Sequence, residues 1–347
     1  MRILVLLGWL LMIQCPRQSS MEVSEDRMKE VYETVKTPFK FGVVFKHPDS
    51  TKMMDSPTIF RWKNAWFMSY VIFDGRGYET WMAKSDDLLN WSSQGRILSF
   101  TDSGWDANQK GGYLGLLDNR WEGSYEPQKF EGNYWMSYLG GSTKGYEAGQ
   151  LGVGMAFSKD PSSAKEWMRL PEPVLSASDK DARWYDNHTI FKSSIVADPD
   201  KKRGYPFLLF YNASGDTAKY ESIAMAGSND LKQWNRLGNG PIISRGVNGS
   251  ICGDAQVMQI DDLYVLFYFG AFWPDRPAAF ERFACSYDLE NWTEWKGPSL
   301  VEPSESYDST YAHKPMVINW NNTVYHFYNA VGAEGRVIAL ATSRKLK

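Results

Sequence analysis

The sequence predicts an all-β fold, a five-bladed β-propeller with four-stranded blades in a single domain. Three observations predict it. A turn of the form Ser, x, Asp, Leu, x, x, Trp recurs along the chain. An apolar strand and then an aromatic strand precede each copy. Helical periodicity is confined to one short segment, Glu25 to Val35. Repeats of about 50 to 70 residues built of strands read as propeller blades, and a β-sandwich does not explain five similar units.

Taken from the N-terminus, Met1-Arg2 and the apolar run Ile3 to Ile13 form a positive start and a short hydrophobic stretch ended by Pro16. Eleven residues are too few to span a bilayer, so residues 1–20 read as a secretory signal. The expected location is secreted or periplasmic. Cys15 stands where a lipoprotein cysteine is acylated, which offers lipid anchoring as the alternative. Residues 21–37 form an N-terminal segment with the short helix, and 38–347 form the propeller.

The turn appears as Ser85-Asp86-Asp87-Leu88 running to Trp91, as Ser228-Asn229-Asp230-Leu231 to Trp234, and as Ser286-Tyr287-Asp288-Leu289 to Trp292. A looser copy starts at Ser158 and runs to Trp167, and a truncated one ends the sequence at Ser343. The strand pairs before these turns open at Asp55, Glu126, Asp186, Asp254 and His313. The strand just before the turn often opens with an aromatic residue and Glu: Tyr78-Glu79, Tyr146-Glu147, Tyr220-Glu221 and Phe280-Glu281. A long run from Thr101 to Trp121 separates the first two units and reads as a loop at the rim of a pocket.

Composition narrows the function. The net charge of −3 argues against nucleic acid or an anionic membrane surface as partner. Three cysteines and four scattered histidines argue against a disulfide framework or a His-built metal site. Cys252 and Cys285 fall on the first and third strands of one unit, about 9.6 Å apart, beyond disulfide reach. Aromatic residues make up 15% of the sequence, an ample supply of flat faces for sugar rings. Of six Asn-x-Ser/Thr sequons, those at Asn90 and Asn291 recur within the turn and read as structural.

In a propeller the first strand of each blade lines the central channel. The residues opening those strands then converge on one mouth. Four of the five are acids, and several carboxylates at one concave site suit glycoside cleavage, which needs a proton donor and a second carboxylate as base or nucleophile. Arg183, Trp184 and Tyr185 beside Asp186, Arg76 in the first unit, Trp273 in the fourth, and His313 with Lys314 in the fifth are candidate substrate-binding residues.

Asp55, Asp186 and Asp254, with the Ser-x-Asp-Leu-x-x-Trp turns, resemble the carboxylate triad and blade endings of the five-bladed propeller glycosidases. These are glycoside hydrolase family 43 and its relatives, families 32, 62, 117 and 130; secreted Bacteroidetes-type glycosylases are similar. The resemblance implies Asp55 as general base or nucleophile, Asp186 as tuner of the acid, and Asp254 as general acid. Glu126 is the alternative acid, because family 43 carries Glu-Gly-Pro where this sequence has Asp254-Ala255-Gln256. His313 resembles an axial histidine near a water-bound calcium ion, so a structural Ca2+ in the channel is implied, with no cofactor required for the chemistry. The expected protein is a monomeric hydrolase that removes terminal sugars from a poly- or oligosaccharide. The alternatives are a non-catalytic carbohydrate-binding propeller and a glycoside phosphorylase.

Overall fold

The computed structural model describes residues 22–165 and 167–346, so the proposed signal and Cys15 lie outside the described residues. Helix α1 (Glu25–Val35) occupies the one segment with helical periodicity. Ser24 caps it, accepting from the Arg27 amide, and Met28, Val31 and Val35 enter the main core. After β1 (Phe39–Phe45) come antiparallel groups in sequence order: β2 (Met53–Trp62), β3 (Ala65–Phe73), β4 (Tyr78–Ser85) and β5 (Ser92–Leu98); then β6 (Gln109–Leu114), β7 (Tyr134–Gly141) and β8 (Gly152–Ser158), with the short β9 (Met168–Arg169) and β10 (Leu175–Ser176). Next come β11 (Thr189–Ala197), β12 (Phe207–Ser214), β13 (Ser222–Ser228) and β14 (Asn235–Leu237), followed by β15 (Ile251–Ile260), β16 (Leu263–Ala271), β17 (Phe280–Ser286) and β18 (Thr293–Glu294). The last are β19 (Tyr311–Trp320), β20 (Thr323–Gly332) and β21 (Gly335–Thr342). Strand β1 pairs with β21, so the N-terminal strand completes the C-terminal sheet and ties the two ends together. The first two groups count as one sheet through a single parallel pairing, Tyr78 with Gln109.

The recurring turn is a local hydrogen-bond device. Ser85 Oγ accepts from the Asp87 and Leu88 amides, and Asp87 accepts from those of Leu89 and Asn90. Leu88, Leu231 and Leu289 share a left-handed backbone, with φ of 68°, 62° and 62°. Burial of each leucine offsets that strain. Asn90 and Asn291 bond back to Asp87 and Asp288, the structural role their recurrence implies. Cys252 and Cys285 are free and buried.

The run from Thr101 to Trp121 is not a rim loop throughout, and Glu126 does not open the inner strand of the second unit. That strand is β6, Gln-Lys-Gly-Gly-Tyr-Leu, paired with β7. Its glycines hide it from a propensity reading, yet they are what the packing requires. A Cβ on Gly112 would lie 2.7 Å from Met136 Sδ and 3.0 Å from Thr80 Oγ1.

Four inner strands carry the same defect. Ser56-Pro57, Phe191-Lys192, Asp254-Ala255 and Lys314-Pro315 each interrupt the pairing register with the neighbouring strand. These β-bulges bend the strand and re-aim side chains. Ser56, Asp254 and Lys314 hold φ of 42°, 59° and 64° there, an uncommon conformation for non-glycine residues.

Candidate active site

The bulges turn Asp55, Ser56, Lys192, Asp254, His313 and Lys314 into one cavity of ≈ 270 Å³. Tyr113 of β6, Tyr78, Tyr146, Glu147, Asn212, Glu221, Tyr311 and Arg336 complete its polar lining. Four carboxylates and three cations of the described residues therefore meet in a pocket otherwise walled by Val71, Leu139, Phe191, Ile251 and Phe269.

Two of the carboxylates are clamped. Asp55 contacts Lys314 Nζ at 3.0 Å and Arg336 Nη1 at 2.8 Å, and accepts from the Ser56 amide at 3.0 Å. Burial alone would raise its pKa, but Lys314 and Arg336 prevail and hold it at about 2. Asp254 lies 3.1 Å from Lys192 Nζ and accepts from Asn212 Nδ2 at 3.0 Å and Ser56 Oγ at 3.2 Å. The Asp254 amide donates back to Asn212 Oδ1 at 2.8 Å, so one asparagine fixes both backbone and carboxylate. Burial opposes its charge, yet Lys192 and Lys314 keep the pKa below the usual value. Asn212 lies in a sequon, but it is buried in this role.

The other two are glutamates without a cation at bonding distance among the described residues. Glu147 accepts from Tyr78 OH at 3.0 Å. Burial pushes its pKa up, partly offset by Lys314 and that hydrogen bond. Glu221 has no hydrogen-bond or ion-pair partner for its side chain among the described residues. Burial first, then the charges of Glu147 and Asp254, pushes its pKa up to about 8. The pocket thus pairs two fixed anions with a carboxyl that stays protonated at neutral pH.

His313 is neutral, its pKa driven down to about 3 by burial and by the Lys314 charge. Its Nδ1 donates to the Asn329 carbonyl at 3.0 Å, which leaves Nε2 as an acceptor. The residues offer the expected calcium ion no set of direct side-chain ligands. Lys314 and Arg336 already occupy the Asp55 oxygens, and no group of three His, Cys, Asp or Glu side chains suited to a metal occurs among the described residues.

Several expected site residues lie elsewhere. Asp186 is fully buried outside the pocket, accepting from Tyr211 OH at 2.8 Å and Arg236 Nε at 2.6 Å. It belongs to a repeated latch. Asp106, Asp186 and Asp308 each stand three residues before an inner strand. Each accepts from a tyrosine of the next strand: Tyr138, Tyr211 and Tyr328, all at 2.8 Å. Each also meets a cation from the outermost strands: Arg169, Arg236 and Lys40. Arg183 belongs to the same latch, bonding the Arg236 carbonyl at 2.9 Å. Tyr185 is buried, and Trp184 is 47% exposed with its ring edge-on to Tyr185, away from the cavity lining. Arg76 is spent on Asn108 and the Thr101 carbonyl. Trp273 is buried and donates to the Ile251 carbonyl; its neighbour Phe272 lines the pocket instead. Glu126 sits on the strand-to-strand connection beside Asp118 and lines no part of the cavity.

Of the expected site residues, the structure brings Asp55, Asp254, His313 and Lys314 into one cavity. It adds Lys192, Asn212, Arg336, Glu147 and Glu221, which sequence reasoning missed. The signal for the two glutamates was the repeated aromatic-Glu pair. It was masked because the same pair yields Glu79 and Glu281, which are buried within strands against Arg96 and His326.

No protein-family model matches the sequence, and no curated protein matches it. Among solved structures, a complex of BT0996 with RGII shares 46% identity at a TM-score of 0.91, covering 94% of this protein and 97% of that one. A structure described as a glycoside hydrolase has the same identity, TM-score and coverage. A family 117 glycoside hydrolase from Zobellia galactanivorans has a TM-score of 0.63 at 12% identity, over 89% of this protein and 90% of that one. At that identity the likeness shows the fold alone, in keeping with the sheets above. The first two relatives carry the stronger conclusion: the protein belongs to the glycoside hydrolases.

Proposed function

We propose that this protein hydrolyses a terminal sugar from an oligosaccharide in the pocket formed by the bulged inner strands, which we read as the axis of a five-bladed propeller. The observation that carries the reading is one cavity holding two cation-clamped aspartates and two glutamates free of direct cation contacts among the described residues. A cavity of ≈ 270 Å³ is small for a ligand site and suits one terminal residue better than a polymer passing through.

Glu221 is the general acid. Its carboxyl is protonated at neutral pH and gives that proton to the glycosidic oxygen as the bond to the anomeric carbon breaks. Glu147, whose anionic form is supported by Lys314 and Tyr78, is the base that activates water or the nucleophile that attacks the sugar. A carboxylate separation near 5 Å would assign retention, and roughly 6.5–9.5 Å inversion. Asp55 and Asp254 are too acidic to donate a proton at neutral pH. As anions held by Lys314, Arg336 and Lys192 they accept sugar hydroxyls and stabilise the positive charge that develops on the ring. The acid role that the family resemblance gave Asp254 thus passes to Glu221, and Glu147 takes the base role in place of Asp55, whose two oxygens are held by Lys314 and Arg336. Secretion through residues 1–20, in soluble or Cys15-anchored form, and action as a monomer complete the proposal. No helix among the described residues is long and apolar enough to cross a membrane.

RGII, named for the 46% identical relative, is the first source of oligosaccharides to test. Incubation with and without inorganic phosphate, followed by product chromatography, is expected to give a free sugar in both cases and at least a hundredfold less with Glu221→Gln. A sugar phosphate formed only with phosphate present would replace the hydrolase reading with a phosphorylase. Binding without any product would replace it with a carbohydrate-binding protein.

A further inference from the structure

A second cavity of ≈ 480 Å³ adjoins the pocket. Glu221, Ile251 and Phe272 line both. The rest of the outer groove comes from the connection between β12 and β13, with Asp216, Lys219 and Tyr220, from His188, and from Gly249-Ser250 at the entry to β15. The boundary between the two spaces is therefore the proton donor, one aliphatic side chain and one aromatic.

Phe272 has two features of a built platform. It is 47% exposed, although it directly follows the wholly buried strand β16, and its backbone holds φ of 55°. A bulky residue in that conformation is strained and persists where the surroundings fix it. Its ring meets Tyr311 edge-on at 5.9 Å and 84°. Lys219 is exposed on the groove wall and makes no ion pair among the described residues. His188 and Asp216 face each other at 3.0 Å and supply further polar contacts.

A glycosidic oxygen must lie against the acid that protonates it, with one sugar on each side of that bond. We infer that the groove lined by His188, Asp216, Lys219 and Phe272 is the leaving-group subsite, and that it holds a saccharide unit of the substrate against the exposed face of Phe272. This rests on the reading of Glu221 as the acid. The substrate is then a branched or linear oligosaccharide recognised on both sides of the scissile bond, and a terminal sugar on a small aglycone uses only half the site.

The test separates binding from turnover. The Glu221→Gln protein is titrated calorimetrically with RGII oligosaccharide, alone and combined with Lys219→Trp or Phe272→Ala. Lys219→Trp is expected to fill the groove and weaken binding at least tenfold, and loss of the aromatic face in Phe272→Ala to weaken it roughly tenfold. Phe272→Tyr is expected to retain parent affinity. Thermal melts of each variant confirm that the fold is retained. No measurable binding of the oligosaccharide, or equal binding in parent and Lys219→Trp, overturns the subsite. Because the readout is binding, a wild-type enzyme that binds the oligosaccharide but releases no product would sink the hydrolase reading while the groove variants still decide the subsite.

Discussion

Asp186 and Asp254 look alike in the sequence and do opposite work in the structure. Both are fully buried aspartates of one fold, each with a basic partner. Asp254 sits on a bulge, faces the cavity and is held by Lys192 and Asn212. Asp186 stands three residues ahead of its strand and pins Tyr211 to Arg236, as Asp106 and Asp308 pin their own tyrosines. The bulge decides which way an acid is turned. Where it carries Ser56, Asp254 or Lys314, the backbone is left-handed and the charged groups face the cavity; where acids precede the strand, they fasten neighbouring strands.

Substitutions separate the two kinds of acid. The largest expected effect is on the pocket glutamate: Glu221→Gln lowers kcat for RGII oligosaccharide by about 10²–10⁴-fold, read as released sugar. The next is Asp254→Asn, which unfastens Lys192 and removes an anion beside the sugar; kcat/KM falls about 10²-fold in the same assay. Asp186→Asn leaves Arg236, only 1% exposed, without its closest carboxylate, so about 3 kcal/mol of stability is lost. Its melting temperature drops by several degrees, while kcat of the protein that remains folded stays within about twofold of wild type, a factor worth under 1 kcal/mol.

The smallest expected effect is one of sign. The folded pKa of Asp55 is depressed to about 2, so its contribution is present above the unfolded value and is lost as pH falls through about 2. The folded pKa of Glu221 is raised to about 8, so the unfolded state binds fewer protons between its ordinary range and pH 8, and stability falls as pH rises through that window. At pH 8 Asp55→Asn is therefore expected to lower the melting temperature and Glu221→Gln to raise it slightly. A fall in both would remove the distinction between clamped and unclamped carboxylates.

The parts of this molecule that are local in sequence were legible in it. The Ser–Asp–Leu turns are closed by hydrogen bonds within a few residues, so their repetition exposes the architecture. The helix at Glu25–Val35 carries its own cap and apolar face. What depends on pairing was not legible. Asp55-Ser56-Pro57-Thr58-Ile59 and Asp186-Asn187-His188-Thr189-Ile190 share one pattern, yet Thr58 pairs with Ser69 after the bulge and Thr189 with Ser214 before it. That offset puts Phe191 and Lys192 in the cavity lining and leaves Asp186 in the latch. The inner strand β6 was hidden because close packing demands glycine where propensity asks for valine or isoleucine.

The working acid we propose is Glu221, with its proton held by burial and by the anions facing it. The pH dependence of kcat/KM, measured for the wild type, Asp254→Asn and Asp186→Asn with one oligosaccharide, tests it most directly. The expected result is an alkaline limb with an apparent pKa of about 8, moved downward in Asp254→Asn and unmoved in Asp186→Asn. A limb in the ordinary carboxylate range, or one that shifts with Asp186 and not with Asp254, would contradict it.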